Sequence, residues 1–425
     1  MSDVEIAVGV FVVTYALVIS EKVHKTTIAL AGGMAVVGFK ILSGHEAFEA
    51  INLEVIFLLT GMMIIANTMA STGVFGWMAI RAAKAGKGDP LRVTILLCAI
   101  TAVGSAFLDN VTTVVLIAPV TLVVADMLGM KAVPLLIAEV LASNIGGTAT
   151  LIGDPPNILI ATHADIDFVT FMLNVGPASI LSLIAFLFAL RWLMRGQIEG
   201  SPDAADNVMR MDDTQLITDM RMLKISGGVL ALVVVGFLLQ GVTGYDPAIV
   251  ALTGAALLLL ITREDPHDSL REVEWSTLFF FIGLFILVGS LEKVGVLEDI
   301  GMWADDVTGG SEVAASMLIL WMSAVLSGFV DNIPYTATML TVVDEMNAGQ
   351  PDPTSNLLWW SLAIGADMGG NLTIVAASAN VLVANLAARN GHKITFMEFF
   401  RYGAVTTVGT ILISTAYLWA RYLAL

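Results

Sequence analysis

Long apolar runs alternate with short polar segments along the chain, and ten of the runs are long enough to span a membrane as helices: about 4–20, 26–42, 52–71, 132–162, 169–190, 225–241, 248–262, 275–291, 357–388 and 396–420. Two further apolar segments, 91–127 and 313–344, are broken near their middles by polar residues. The breaks read Asp109-Asn110-Val111-Thr112-Thr113 and Asp331-Asn332-Ile333-Pro334-Tyr335-Thr336-Ala337-Thr338. Irregular backbone is tolerated at membrane depth only where protein buries it or it lines a wet cavity. Both segments are therefore predicted to be re-entrant hairpins with polar tips. Gly73–Gly86 and Gly295–Asp306 have the pattern of interfacial helices. Trp192, Trp275, Trp359 and Trp360 fall near predicted span ends and read as interfacial anchors.

The one long hydrophilic stretch, 195–224, reads as a cytoplasmic linker between 1–194 and 225–425, and these two parts repeat one another. Ala29-Leu30-Ala31-Gly32 matches Ala251-Leu252-Thr253-Gly254, Gly61 matches Gly283, Gly73 matches Gly295, and Asp109-Asn110 matches Asp331-Asn332, each at an offset of 222. Gly146-Gly147 matches Gly369-Gly370 and Asn157 matches Asn380 at an offset of 223. Each part holds five spans and a hairpin, and an odd number of crossings turns the second part upside down. The predicted fold class is an all-α polytopic membrane protein of about 10 transmembrane helices plus two re-entrant hairpins in two inverted-topology repeats. Placing both termini outside puts all of the 20 basic residues except Lys40, Lys293 and Arg421 on the inner side, which agrees with the positive-inside rule. The opening Met-Ser-Asp-Val-Glu has no basic n-region, so the first apolar run is read as a retained span.

Composition narrows the function classes. With 57% hydrophobic and 13% charged residues, the chain is neither a soluble enzyme nor a nucleic-acid binder nor disordered. A net charge of -17 argues against polybasic attraction to anionic partners. The single cysteine, Cys98, excludes an intramolecular disulfide framework or a Cys-rich metal site, and reads as a small apolar filler. No nucleophile-base constellation or metal motif appears, so no enzyme activity, metal or cofactor is predicted.

The chemistry is predicted where polar residues interrupt apolar helices in both halves. In Ser143-Asn144-Ile145-Gly146-Gly147-Thr148-Ala149-Thr150-Leu151-Ile152-Gly153-Asp154-Pro155-Pro156-Asn157, glycines and prolines unwind a helix. The break frees carbonyls and half-helix ends for a ligand. Its partner runs Ala366-Asp367-Met368-Gly369-Gly370-Asn371-Leu372-Thr373 and ends at Asn380, with Asn144 standing where Asp367 stands. Candidate ligands for solute or ion are Asn110, Thr112, Thr113, Ser143, Asn144, Gly146, Gly147, Thr148, Thr150 and Asn157 in the first half. In the second they are Asn332, Thr336, Gly369, Gly370, Asn371, Thr373 and Asn380.

The Ser143–Asn157 run and the Asp-Asn tips resemble the ArsB and P-protein branch of the ion transporter superfamily, which includes arsenite exporters, the melanosomal P protein and plant silicon exporters. The resemblance implies a homodimer in which spans 1–3 and 6–8 form a scaffold. The hairpins, broken helices and spans 5 and 10 would then form an elevator-type transport domain. It also implies a soluble ATPase subunit as partner in some hosts. The chain is similar more distantly to sodium-dicarboxylate transporters, but Asp-Asn replaces their Ser-Asn-Thr tips, which points toward cation coupling.

Five ionisable residues fall inside the membrane in this reading, Asp109, Glu139, Asp154, Asp331 and Asp367, and all are acidic. No Lys or Arg is placed among them, so each must be protonated, bind a cation or be stabilised by helix ends and amides. Asp109, Asp154, Asp331 and Asp367 are the candidate proton- or cation-coupling residues, with capping of the half-helix at Pro155 as an alternative role for Asp154. Glu139 is read as reaching a polar cleft. The histidines fall in loops or at span ends, away from a central proton relay. An acid-rich, base-free centre suits a small uncharged hydroxylated solute, such as arsenous or antimonous acid, exported across the inner membrane against protons. A sodium/proton antiporter, a sodium-coupled anion symporter and an anion channel remain open alternatives.

Overall fold

The computed structural model describes residues 2–20, 22–197, 216–263, 265–348 and 355–423. Most of the predicted linker, residues 198–215, therefore lies outside the described residues. The described residues form helices and no strand. In chain order these are α1 (Asp3–Ser20), α2 (Lys25–Gly38), α3 (Gly44–Glu49), α4 (Leu53–Ser71), α5 (Val74–Ala85), α6 (Pro90–Leu108), α7 (Asn110–Leu128), α8 (Ala132–Gly147), α9 (Pro155–His163) and α10 (Phe168–Leu193). After the linker come α11 (Met220–Leu238), α12 (Gln240–Thr243), α13 (Pro247–Thr262), α14 (Pro266–Arg271), α15 (Trp275–Lys293), α16 (Val296–Thr308) and α17 (Glu312–Ser327). The chain closes with α18 (Asn332–Ala348), α19 (Leu357–Gly369), α20 (Ser378–Arg389) and α21 (Phe396–Leu418).

Among the described residues, 8 helices are long and apolar enough to cross a membrane. The protein is an all-α polytopic membrane protein. One predicted span is shorter than expected, since 26–42 yields the 14-residue α2, whereas 248–262 yields the 16-residue α13. Helix α2 stops at Gly38, just before Lys40 takes a left-handed φ of 63°. Helix α13 cannot extend backwards as a regular helix through Pro247, which has no N–H to donate. The segments 132–162 and 357–388 are broken as predicted, at 148–154 and 370–377. The polar-tipped segments fold as the helix pairs α6/α7 and α17/α18, which meet at Asp109 and near Asp331. Val12, Val13, Phe188, Leu232, Leu260 and Val405 are all exposed, as expected of side chains that meet lipid.

Matched positions in the two halves make matched contacts. A Cβ placed on Gly61 of α4 would lie 2.7 Å from the carbonyl carbon of Ala251 in α13, and one on Gly283 of α15 would lie 2.5 Å from that of Ala29 in α2. Each half's long helix is thus pressed against the short helix of the other half at a position where a side chain does not fit. Helices α5 and α16 each follow a glycine with left-handed φ, Gly73 at 80° and Gly295 at 79°, and occupy the stretches read as interfacial. Trp192 and Trp275 are exposed at helix ends, but Trp359 and Trp360 are not anchors. Both are buried, Trp359 edge-on to the His163 ring and Trp360 edge-on to Phe171. They start a half-helix that lies inside the protein, so their indoles pack in the core.

Candidate solute and ion site

The centre of the molecule is where both hairpin tips meet both broken helices. At the first tip, Asp109 ends α6 with φ 77° and ψ 154°, a backbone conformation that costs a non-glycine residue of order 1–3 kcal/mol. Its carboxylate accepts from Thr112 N at 2.8 Å and from Thr112 Oγ1 at 2.7 Å, which caps α7. The next residue, Asn110, donates from its backbone N–H to Gly153 O at 3.0 Å and from Nδ2 to Asp154 Oδ2 at 2.5 Å. From the other hairpin, Asn332 Nδ2 donates to Asp154 Oδ1 at 3.3 Å. One carboxylate therefore joins the two tips.

Asp154 does not cap the half-helix that follows it. The first two residues of α9 are Pro155 and Pro156, which carry no N–H, so the carboxylate has little to cap and turns to the tips instead. The carbonyls freed by the breaks are likewise not left bare. Asn157 Nδ2 donates to Gly147 O at 3.3 Å and Thr150 O at 3.1 Å, and Asn380 Nδ2 donates to Gly370 O at 2.7 Å and Thr373 O at 2.9 Å. Thr150 Oγ1 donates to Ala106 O, and its counterpart Thr373 Oγ1 to Gly328 O at 2.7 Å. These bonds hold each break open in one shape. Asn380→Ala would leave the Gly370 carbonyl without its donor, a cost of about 1–3 kcal/mol, and take one of two donors from Thr373 O, which keeps the Ala376 N–H at 3.3 Å. A clear drop in the melting temperature of the purified protein is expected, and no drop would remove this role.

The two broken helices face each other as a pseudo-symmetric pair. Asn144 Nδ2 donates to Asn371 Oδ1 at 3.2 Å and Asn380 Oδ1 at 3.0 Å, while its Oδ1 accepts from Asn110 Nδ2 at 3.3 Å. Asp367 stands at the matching position of the second half, and the matching side chains Thr148 and Asn157 lie beside its carboxyl. Neither Asp367 oxygen has a hydrogen-bond partner of good geometry, nor do Asn157 Oδ1, Asn110 Oδ1 and Asn371 Nδ2. Asp109, Asp331 and Asp367 all lie within electrostatic reach of Asp154.

The remaining predicted ligands divide by place. Ser143 Oγ donates to Asn110 O at 3.3 Å and Thr148 Oγ1 to Asn144 O at 2.9 Å, so both brace the backbone around the site. Gly146 and Gly369 back onto Ala102 and Ala324, and Gly147 lies against Gly153. Gly370 lies beside Asn332 Nδ2. Thr113 and Thr336 are buried on the second limbs of the hairpins, their hydroxyls unpartnered.

Two expectations about the acids fail. Asp331 does have a basic partner, since Lys25 Nζ lies 2.9 Å from its Oδ2. Lys25 falls just outside the apolar run that begins at 26, but it is the first residue of α2 and reaches the second tip. Glu139 does not reach the cleft. It is 2% exposed, its Oε1 accepts from Thr101 Oγ1 at 3.2 Å and Thr121 Oγ1 at 2.8 Å, and Leu362 stands at its matching position. Sequence reasoning also missed Tyr15, whose hydroxyl donates to Pro334 O at 2.9 Å, and Ser378. Among the described residues no group of three or more His, Cys, Asp or Glu side chains is placed to hold a metal ion.

Residues 15–365 match the profile of the CitMHS family, described as citrate transporters. The chain belongs to this family. Relatives run its whole length: an uncharacterized transporter of Mycobacterium tuberculosis is 46% identical over 422 residues, 98% of either chain. The 46 kDa membrane protein of Mycobacterium leprae is 45% identical over 425 residues, 99% of either chain. The human P protein is 31% identical over 509 residues, covering 98% of this chain and 60% of that one, which bears out the likeness carried by the Ser143–Asn157 run. In fold, the chain is similar to the crystal structure of the Alcanivorax borkumensis YdaH transporter, with a TM-score of 0.60 over 88% of this chain and 86% of that one at 14% identity. This CitMHS protein is a multi-pass membrane transporter.

Proposed function

We propose that this CitMHS protein is a proton-coupled secondary transporter that exports a small hydroxylated metalloid solute, arsenous or antimonous acid, across the inner membrane by alternating access. The observation that carries the reading is the central group of acceptor oxygens without donors, on Asn110, Asn157 and Asp367. A solute that brings its own hydroxyl hydrogens completes these bonds, and a neutral one enters an acidic centre without electrostatic cost. Asp109, Asp154, Asp331 and Asp367 then take and release the coupling protons. Citrate, named in the family description, would bring three carboxylates to an acidic centre where Lys25, at the second tip, is already paired with Asp331.

In this reading the halves are inverted repeats, 1–194 and 225–425, with both termini on the outer side. The short and long helices crossed at Gly61 and Gly283 form the scaffold, and the hairpins and broken helices move against it within a homodimer. The same oxygen-rich centre favours sodium as a second reading, with sodium/proton exchange as the activity. Flux of arsenite and of sodium into proteoliposomes, with and without a pH gradient, separates the two. Arsenite flux driven by the gradient is the expected result. Gradient-driven sodium flux without arsenite flux would replace the first reading with the second.

A further inference from the structure

Asp109 and Asp331 occupy matched positions at the two tips but hold their carboxylates differently. Asp109 is satisfied within its own hairpin by the N–H and hydroxyl of Thr112. The residue matching Thr112 is Pro334, which has neither group. Among the described residues Asp331 Oδ1 keeps only the Ile333 N–H at 3.2 Å, and its Oδ2 is served from other helices, by Lys25 Nζ at 2.9 Å and Ser378 Oγ at 3.2 Å. The residues matching Lys25 and Ser378 in the other half are Pro247 and Pro155, so the first tip has no counterpart to either.

The Lys25 ammonium also donates to Ser378 Oγ at 2.5 Å and stands 4.8 Å from the centroid of the Phe280 ring. A carboxylate, a hydroxyl and an aromatic face together make a good site for a cation. The contacts join α2 and α15 to the second tip and to the start of α20. Asp331 is 9% exposed and Lys25 30%, on the wall of a cavity of about 480 Å3 that is also lined by Thr26, Glu274, Thr277 and Leu382. A pair this sheltered leaves a costly bare charge when one partner goes.

We propose that Lys25 is a tethered counter-cation that positions Asp331. It neutralises the second tip and latches the hairpin and α20 to α2 and α15 in the conformation seen here, so the tip leaves only when a coupling proton or cation replaces the ammonium. The latch rests on the reading of Asp331 as a coupling residue.

The test uses the full chain in nanodiscs with Cys98→Ala and a reporter cysteine at Leu382→Cys on the cavity wall, and measures its labelling rate by a water-soluble maleimide. Lys25→Met is expected to slow labelling at least about fivefold, as the open-cavity conformation loses its latch. Asp331→Asn slows it similarly, the double variant is no slower than either single one, and Lys25→Arg labels like the parent. Parent-like labelling in Lys25→Met, additive single effects, or failure of Lys25→Arg to retain the parent rate would overturn the latch. The coupling reading fails separately, if Asp331→Asn slows labelling but leaves pH-dependent flux intact. Lost flux in Asp331→Asn with parent-like labelling in Lys25→Met leaves the coupling reading standing and overturns only the latch.

Discussion

Asp367→Asn is expected to reduce transport by about 100-fold while the protein folds and melts as before. The carboxyl makes no well-formed hydrogen bond in this conformation, and an amide of the same size keeps its place beside Thr148 and Asn157. It would only copy Asn144, which already occupies the matching position and is well accommodated. What the change removes is a group able to carry a proton and to bind a donor with charge assistance. A charge-assisted hydrogen bond is worth up to about 3 kcal/mol, or roughly 100-fold. Flux in proteoliposomes, paired with thermal melting, checks both halves of the statement. Wild-type flux and pH dependence in Asp367→Asn would place the coupling elsewhere.

The second large effect is on folding. A Cβ on Gly146 would sit 2.2 Å from Ala102 O and 2.5 Å from Ala102 Cα, both backbone atoms of α6, so no side chain can rotate away to make room. The cost of such overpacking reaches about 3 kcal/mol. Gly146→Ala should therefore fall well below wild type in melting temperature and in the yield of monodisperse protein. Gly369→Ala should follow it, because its Cβ would meet Ala324 O at 2.7 Å. Gly409→Ala is the control, since nothing lies within 4 Å of that position. Equal melting of Gly146→Ala and Gly409→Ala would mean that α8 shifts away from α6 at little cost.

The helices were largely legible because apolar runs in a membrane must be helical and are punctuated by polar tips, prolines and glycines. The repeat marked the positions that converge, and Asn110, Asn144, Asp154, Asn332 and Asp367 do gather at one place. Pairing between distant segments was not legible. Hydropathy leaves Lys25 just outside the apolar run because it counts residues by charge, whereas a lysine at the start of a short helix can extend its stem to a tip in the other half. The signal available was Pro334, which strips its tip of the donors that Thr112 supplies. Trp359 and Trp360 misled for a related reason. Proximity to the end of an apolar run implies the interface only when the run faces lipid. The spacing from Ser143 does put Glu139 on the same helix face, but one turn, about 6 Å along the axis, carries it away from the cleft to Thr101 and Thr121.

Asp154 has a further consequence. Its matching residue is Ala377, so this pair of positions holds one carboxylate where strict duplication would place two or none. A carrier built from two identical inverted halves would have inward- and outward-facing forms of equal energy and no preferred resting side. Here both tips draw on a carboxylate that belongs to the first half alone. Under the inverted arrangement proposed above, the conformation in which the halves exchange roles would lack that shared anchor, so the unloaded protein would rest facing one way and its two solute affinities would differ across the membrane. On that reading the duplication would set up two end states, and side chains without a match in the other half, Asp154 among them, would rank them.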